Sequence, residues 1–241
     1  MIAIIIAGGG GVRLRPLTDN IPKPMVEIDG KPILLHTVEL LKSHGIKNFI
    51  FALCYLPEKI VSYFGDGSKF GARIEYTHED PLKPLGTAGA ITLCKKYIKE
   101  SFIVTYGDIV RKLDVTEMIE QHKKTKAFAT INVYKREGGN PKSKIEFDQN
   151  KKILKFTERP TEKDAQEEFV WANGSFYILE PEIFDFLPTS AKSDFGADIF
   201  PKLLAGKKAL YAYPTTDYFM DIGNREKLER ARKTFRPTRS V

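Results

Sequence analysis

The chain has 241 residues, 42% hydrophobic and 29% charged, an ordinary globular composition whose length favours one large core over two small ones. Its net charge of +7 suits a ligand rich in phosphate, while Lys and Glu alternate along most of the sequence without the stacked-aromatic basic stripe of a nucleic-acid binder. Two cysteines, Cys54 and Cys94, stand forty positions apart among apolar residues, which excludes a disulfide framework or metal spacing and predicts a reduced, buried pair.

The first predicted element is a buried strand over Ile2–Ile6. Six apolar residues without a preceding basic segment are too few for a signal peptide or membrane span, so the cytoplasm is the expected compartment. The strand runs into four glycines, Gly8 to Gly11, and the loop then carries Arg13, Arg15 and, after a proline-braced stretch, Lys23. Without a Cβ, glycine lets backbone N–H groups crowd against a ligand, and consecutive N–H groups form a concavity for anions. Converging cations suit a polyvalent anion, of which a nucleoside triphosphate is the simplest. A dinucleotide fingerprint would need glycine where Arg13 stands, and no Lys-Ser or Lys-Thr pair completes an NTPase phosphate loop.

Pro32 opens a helix with the apolar stripe Ile33, Leu34, Thr37, Val38 and Leu41, closed by Gly45. There follow a buried strand over Asn48–Leu53, a short helix over Glu58–Phe64, a strand over Arg73–Thr77 and a helix over Ala88–Ile98. An apolar strand over Phe102–Tyr106 then ends in Gly107 and Asp108. Strands spaced by helices imply parallel pairing, and ligands of such sheets collect at the carboxyl ends of strands. A carboxylate at Asp108 is therefore a metal ligand or a helix N-cap.

After a helix over Val115–Lys124 the texture turns strand-rich: Phe128–Tyr134, Lys144–Phe147, Ile153–Phe156 and Val170–Ile178 extend the sheet and add a hairpin or two. Helices return at Pro181–Leu187 and Ala197–Leu204, residues 217–221 form a short strand, and a last helix begins near Asn224. The basic run from Arg225 to Arg239 reads as a solvated helix face and a frayed tail. His36, His44, His78 and His122 share no ligand spacing and are expected on the surface or on helix faces, and Trp171 in the core or on a pocket wall. Lys83 reads as solvated, and no hexapeptide pattern would build a β-helix domain.

Five segments in order, AGGGGVRLRPLT, PKPM, PLGTAGAI, YGD and the FTERP–ANGSFYI–YFMDIG series, resemble the sugar-1-phosphate nucleotidylyltransferases from Met1 to about Ala231. The resemblance implies a Rossmann-like three-layer α/β sandwich with a mainly parallel mixed sheet. It implies a single domain over 1–241, with a nucleotide-binding half to about 112, a sugar-phosphate half from about 113, and no C-terminal β-helix domain. In this family a phosphate oxygen of the sugar 1-phosphate attacks the α-phosphorus of an NTP and pyrophosphate leaves. Two anions must meet, so cations and a metal ion carry the chemistry and no general base is needed.

By resemblance, the nucleotide would be bound by Ala7, Gly8, Gly9, Gly10 and Gly11, with Gly107, and by Gly86 and Thr87 around base and ribose. Thr87 also reads as the N-cap of the following helix. Arg13 would hold the β and γ oxygens, and Lys23 would draw the two reactants together. Asp108 and Asp221 would hold Mg²⁺, which takes its other ligands from phosphates and water. Glu158, Arg159, Asn173 and Gly174 would take the sugar phosphate. Arg159 stands where the family usually has Lys, and Ser175 replaces a common second glycine.

YLPEKIVSYFGDGSKFG, PLGTAGAI and DFGADIFPKLL resemble the mannose-1-phosphate guanylyltransferase branch, which favours GTP, although Thr105-Tyr-Gly-Asp108 also resembles glucose-1-phosphate cytidylyltransferases. The expected partners are an NTP and a sugar 1-phosphate, with neither nucleic acid nor membrane, and homo-oligomerisation is open. Competing readings are a glucose-1-phosphate cytidylyl-, thymidylyl- or uridylyltransferase of the same fold and, from another class, a non-catalytic regulatory subunit that only binds nucleotide-sugar. The joint presence of Arg13, Lys23, Asp108 and Asp221 opposes the last of these.

Overall fold

The computed structural model describes residues 1–137, 142–161, 167–188 and 191–236. In chain order the strands and helices are β1 (Ile2–Ile6), β2 (Glu27–Ile28), β3 (Lys31–Pro32), α1 (Ile33–Ser43), β4 (Asn48–Leu53), α2 (Pro57–Phe64), β5 (Arg73–His78) and α3 (Gly86–Ala90). Then come β6 (Phe102–Tyr106), β7 (Ile109–Arg111), α4 (Val115–Thr125), β8 (Ala129–Glu137), β9 (Ser143–Phe147), β10 (Ile153–Glu158) and β11 (Phe169–Leu179). The last are α5 (Phe200–Ala205), β12 (Leu210–Thr215), β13 (Phe219–Asp221) and α6 (Arg225–Thr234). The fold is α/β, with a mainly parallel, mixed sheet of seven strands flanked by helices.

Packing divides the chain into two compact units interleaved in sequence. The first comprises Met1–Pro84, Thr105–Asp114 and the described part of Asp217–Val241; the second comprises Leu85–Val104 and Val115–Thr216. Strand β6 contributes to both.

In the first unit the strand order is β6-β1-β4-β5. β1 and β4 run parallel with Ile2 opposite Asn48 and Ile6 opposite Ala52, and β4 runs parallel to β5. Strands covered on both faces need continuous apolar runs, and Ile4, Ile5, Phe49, Phe51 and Leu53 are fully buried. Helix α1 buries every residue of its expected stripe, and Gly45 follows it at φ +81°. A second cluster in this unit joins Leu14, Val26, Ile33, Val110, Ile222 and Leu228.

In the second unit the order is β12-β8-β11-β6. β8 pairs parallel with β12 and antiparallel with β11, and β9 and β10 form a separate antiparallel hairpin. Tyr177, Phe195 and Phe200 pack as an aromatic core with ring centroids 5.0–5.5 Å apart.

Several expectations need correction. The helix expected over Ala88–Ile98 is α3 followed by a 3-10 stretch over Ile91–Tyr97, and the Pro181 helix is a 3-10 turn over Pro181–Asp185. The helix expected over Ala197–Leu204 is a π turn over Phe195–Ile199 leading into α5. Strands β2, β3, β7 and β12 were not expected. His36 and His122 do lie on helix faces, of α1 and α4, but those faces are buried, with Phe235 against His36 and Glu180 against His122. The His36 Nε2 lies 2.7 Å from the Ile28 carbonyl, and His122 lies 2.8 Å from both Thr130 Oγ1 and Glu180 Oε1. His44 is half-buried and His78 exposed. Both cysteines are free thiols, but only Cys94 is fully buried. The frayed tail expected at Arg239 lies outside the described residues. Among those described, no helix is long and apolar enough to cross a membrane.

Candidate active site

The glycine loop is shaped by what lies beneath it. Ala7 extends the β1 pairing by donating to the Ala52 carbonyl at 2.8 Å. A Cβ on Gly8 would come within 2.8 Å of Cys54 Cβ, so only glycine lets the chain pass over the end of β4. Gly10 lies on the Tyr55 ring, whose hydroxyl donates to the Thr18 and Asp19 carbonyls, and Gly9 faces open space. Gly11 turns the chain at φ +62° against Thr18 and Lys23, and Thr18 Oγ1 donates to its carbonyl at 2.8 Å.

The 3-10 turn Val12–Leu14 follows, exposing Arg13 and burying Leu14. A second 3-10 turn, Lys23–Met25, leaves Lys23 only 8% exposed. Gly107 donates to the Ile6 carbonyl at 2.9 Å and is packed against Leu34 and Ala7, which carries the chain from the end of β6 into β7. β7 pairs antiparallel with β13, placing Asp221 opposite Ile109, and the Ile222 N–H donates to the Asp108 carbonyl at 3.1 Å. Two carboxylates remote in sequence are thereby neighbours.

The ammonium of Lys23 joins them. It forms an ion pair with Asp108 and lies 3.5 Å from Asp221 Oδ1. Arg13 rests its guanidinium on Gly223, where an added Cβ would lie 3.3 Å from Nη2. Each of these charged residues adjoins a buried apolar anchor of one cluster: Leu14 beside Arg13, Val26 after the Lys23 turn, Val110 after Asp108, and Ile222 beside Asp221. Burying such a side chain contributes roughly 1.5–3 kcal/mol, enough to hold the neighbouring charge in place. Asp108 precedes a strand, so its alternative reading as a helix cap is excluded. Burial, with Glu79 and Asp80 nearby, pushes the Cys54 thiol up, which disfavours its thiolate form.

The remaining expected residues lie in the second unit. Gly86 turns at φ +76° with the Ser193 carbonyl against it, and the N–H groups of Ala88 and Gly89 donate to that carbonyl. Thr87 sits inside α3 and does not cap it. Its N–H and hydroxyl both donate to Asp194 Oδ1, at 3.2 and 3.0 Å, while its Oγ1 accepts from the Phe195 N–H.

Glu158, half-buried at the end of β10, lies against Gly196. Burial pushes its carboxyl up, the Arg159 and Lys142 charges oppose this, and Asp194 adds to it. Arg159 is exposed, with φ +51°. Asn173 and Gly174 occupy a register shift of β11 against β8. The Asn173 amide is already engaged, Nδ2 donating to Tyr177 Oη at 2.8 Å and Oδ1 accepting from the Ser175 N–H. Gly174 packs against Asn132. Trp171 is half-exposed between Phe147 and Phe169.

Arg13, Lys23, Asp108 and Asp221 thus gather beside the glycine loop, and Gly86, Thr87 and Glu158 gather around residues 193–196. Thr18, Tyr55, Asp194 and Gly223 brace these groups and were not singled out from sequence. All four fall inside segments already quoted, AGGGGVRLRPLT, YLPEKIVSYFGDGSKFG, DFGADIFPKLL and YFMDIG, so their signal was present.

The profile of the Nucleotidyl transferase family matches residues 2–236. The chain belongs to that family. It is 35% identical over 235 residues to the UTP–glucose-1-phosphate uridylyltransferase of Synechocystis sp., covering 92% of this chain and 60% of that protein. It is equally 35% identical over 231 residues to the mannose-1-phosphate guanyltransferase of Yarrowia lipolytica, covering 92% of this chain and 61% of that one. The chain therefore spans about 60% of the length of these curated relatives. The crystal structure of HddC from Yersinia pseudotuberculosis complexed with GMP-PN superposes with a TM-score of 0.81 at 29% identity, covering 98% of this chain and 99% of that one.

Proposed function

We propose that this chain transfers a nucleoside monophosphate from an NTP to a sugar 1-phosphate, releasing pyrophosphate. The observation that carries the reading is the meeting of Lys23, Asp108 and Asp221 beside a glycine loop, with Arg13 on Gly223. In the reaction an ionised phosphate oxygen of the sugar phosphate forms a bond to the α-phosphorus. The bond from that phosphorus to the β-phosphate oxygen breaks, and its electron pair leaves with pyrophosphate. The sugar phosphate is already deprotonated at neutral pH, so no proton need be moved.

The loop N–H groups would cradle the triphosphate, Arg13 would take the charge growing on departing pyrophosphate, and Lys23 would lower the repulsion between the reacting phosphates. Glu158, Arg159, Asn173 and Gly174 would hold the sugar phosphate.

Asp108 and Asp221 fit Mg²⁺. Both present carboxylate oxygens to one ammonium, so they converge on a point a cation can share. With two carboxylates from this chain, Mg²⁺ would draw its other ligands from phosphate and water. When bound, Mg²⁺ would supply neutralisation of phosphate charge.

GTP and a manno-configured sugar 1-phosphate are the proposed substrates, supported by the branch motifs, by the Yarrowia relative and by the GMP-PN complex of HddC. The Synechocystis relative favours a second reading, UTP with glucose 1-phosphate. The setting of this reaction would be the cytoplasm, where NTPs are available. The test is pyrophosphate release from each NTP paired with mannose, manno-heptose and glucose 1-phosphates. Release with GTP and a manno-sugar is expected, and silence across the panel would refute the transfer reaction.

A further inference from the structure

A cavity of about 600 Å³ lies within the first unit, and the proposed reaction makes no use of it. Its volume is in the range of pockets that hold small organic ligands. Leu17, Ile21 and Met25 line it from the segment that carries Lys23. From α2, Lys59, Ser62 and Tyr63 face it, at spacings that put them on one side of a helix. Ile60 and Phe64 are buried, which fixes the rotation of α2 and holds the Lys59–Tyr63 side toward the cavity.

Among the lining side chains positive charge exceeds negative, and Glu39, which also acts on Tyr63, is paired with Lys31. Lys59, Lys69 and Arg232 stand against the single carboxylate Glu27. Arg232 pairs with Glu229 at 2.9 Å and donates Nε to the Glu27 carbonyl. Among the described residues Lys59 and Lys69 have no carboxylate partner. The Lys69 ammonium instead lies 5.7 Å from the centre of the Tyr63 ring, so a cation and an aromatic face are offered together. Two exposed lysines beside an apolar lining offer contacts to both halves of an amphipathic anion.

We infer that this cavity binds a small amphipathic anion. Its aromatic or aliphatic body packs on Leu17, Ile21, Met25 and Tyr63, and its phosphate, sulfonate or carboxylate meets Lys59 and Lys69. The position matters because Met25 closes the same 3-10 turn that Lys23 opens. A ligand seated there touches the turn that presents Lys23 to Asp108 and Asp221.

The test is a fluorescence titration of the whole chain with 8-anilinonaphthalene-1-sulfonate, which reads binding without turnover and so stands or falls separately from the transfer reaction. One saturable site is expected, weakened about tenfold or more by the double substitution Lys59→Ala with Lys69→Ala, which corresponds to losing charge-assisted contacts. Ser62→Trp, at an exposed position of α2, should fold normally by circular dichroism and block the site. Displacement by phenyl phosphate would identify an aromatic phosphate as the better ligand, and displacement by decanoate an aliphatic carboxylate; either supports the site. No saturable binding, unchanged affinity in Ser62→Trp, displacement by neither compound, or loss in Arg13→Ala with retention in Ser62→Trp would overturn it.

Discussion

Lys23 and Asp108 form an ion pair in which the lysine is only 8% exposed, and Asp221 approaches the same ammonium from β13. Removing one partner from such a cluster alters its charge more than its packing, since Ile109 and Ile222 keep the backbone anchored. Asp221→Asn should therefore leave the melting temperature within a few degrees of the parent. Turnover should fall by about a hundredfold or more, the scale set by losing a preorganised electrostatic group. Thermal unfolding and pyrophosphate release on the same preparation check this, and a normal rate would remove Asp221 from the proposed metal site.

Arg13 is exposed and its guanidinium rests on Gly223, so its side chain contributes little to the core. Arg13→Ala should raise the barrier to transfer by about 2–4 kcal/mol through weaker stabilisation of departing pyrophosphate. Single-turnover rates give the number. If only KM changed, the side chain would be a binding group with no role in departure.

The four loop glycines should respond unequally to substitution. At Gly11 the left-handed backbone and the 3.0 Å approach to Thr18 and Lys23 both penalise a Cβ, so Gly11→Ala should cost about 1–2 kcal/mol or more of stability. Gly9 faces open space, and Gly9→Ala should stay within about 0.5 kcal/mol. Urea unfolding of the two variants tests the contrast; equal losses would show that the loop is held differently.

His122 predicts a pH effect in the second unit. Burial holds its pKa below the ordinary 6.5, with Glu180 partly opposing. Between that lowered value and 6.5 the unfolded chain binds more protons than the folded one, so stability rises with pH across this window. Its contribution is complete above 6.5 and is lost as pH falls through the folded value. Urea midpoints at pH 7.5 and 5.5 should show a drop on acidification that shrinks in His122→Gln. An undiminished drop would assign the proton uptake to other groups.

Ile2–Ile6, Asn48–Leu53 and Phe102–Tyr106 were legible to the residue because each is an unbroken or nearly unbroken apolar run that only a strand covered on both faces can use. The stripe of α1 and the start of α6 after Asn224 were equally local, the Asn224 side chain accepting from the Lys227 N–H. β7 was invisible because three residues form a strand only when β13, far along the chain, pairs with them. The burial of His36 and His122 was hidden for the same reason, since Phe235 and Glu180, which pack against them, are remote in sequence. At Thr87 a local rule misled: the hydroxyl does bond backbone, but that of Phe195 rather than its own helix.

Sequence alone determined the family, the α/β alternation and the chemical types at the site, because apolar runs, glycine stretches and ordered motifs are properties of consecutive residues. Tertiary structure alone decided that Lys23 would be shared by Asp108 and Asp221, that Thr18 would fasten Gly11, and that three cations would border an apolar cavity. The physical reason is that these relations depend on strand register and side-chain packing between segments remote in the chain, where no local periodicity records which residues will meet.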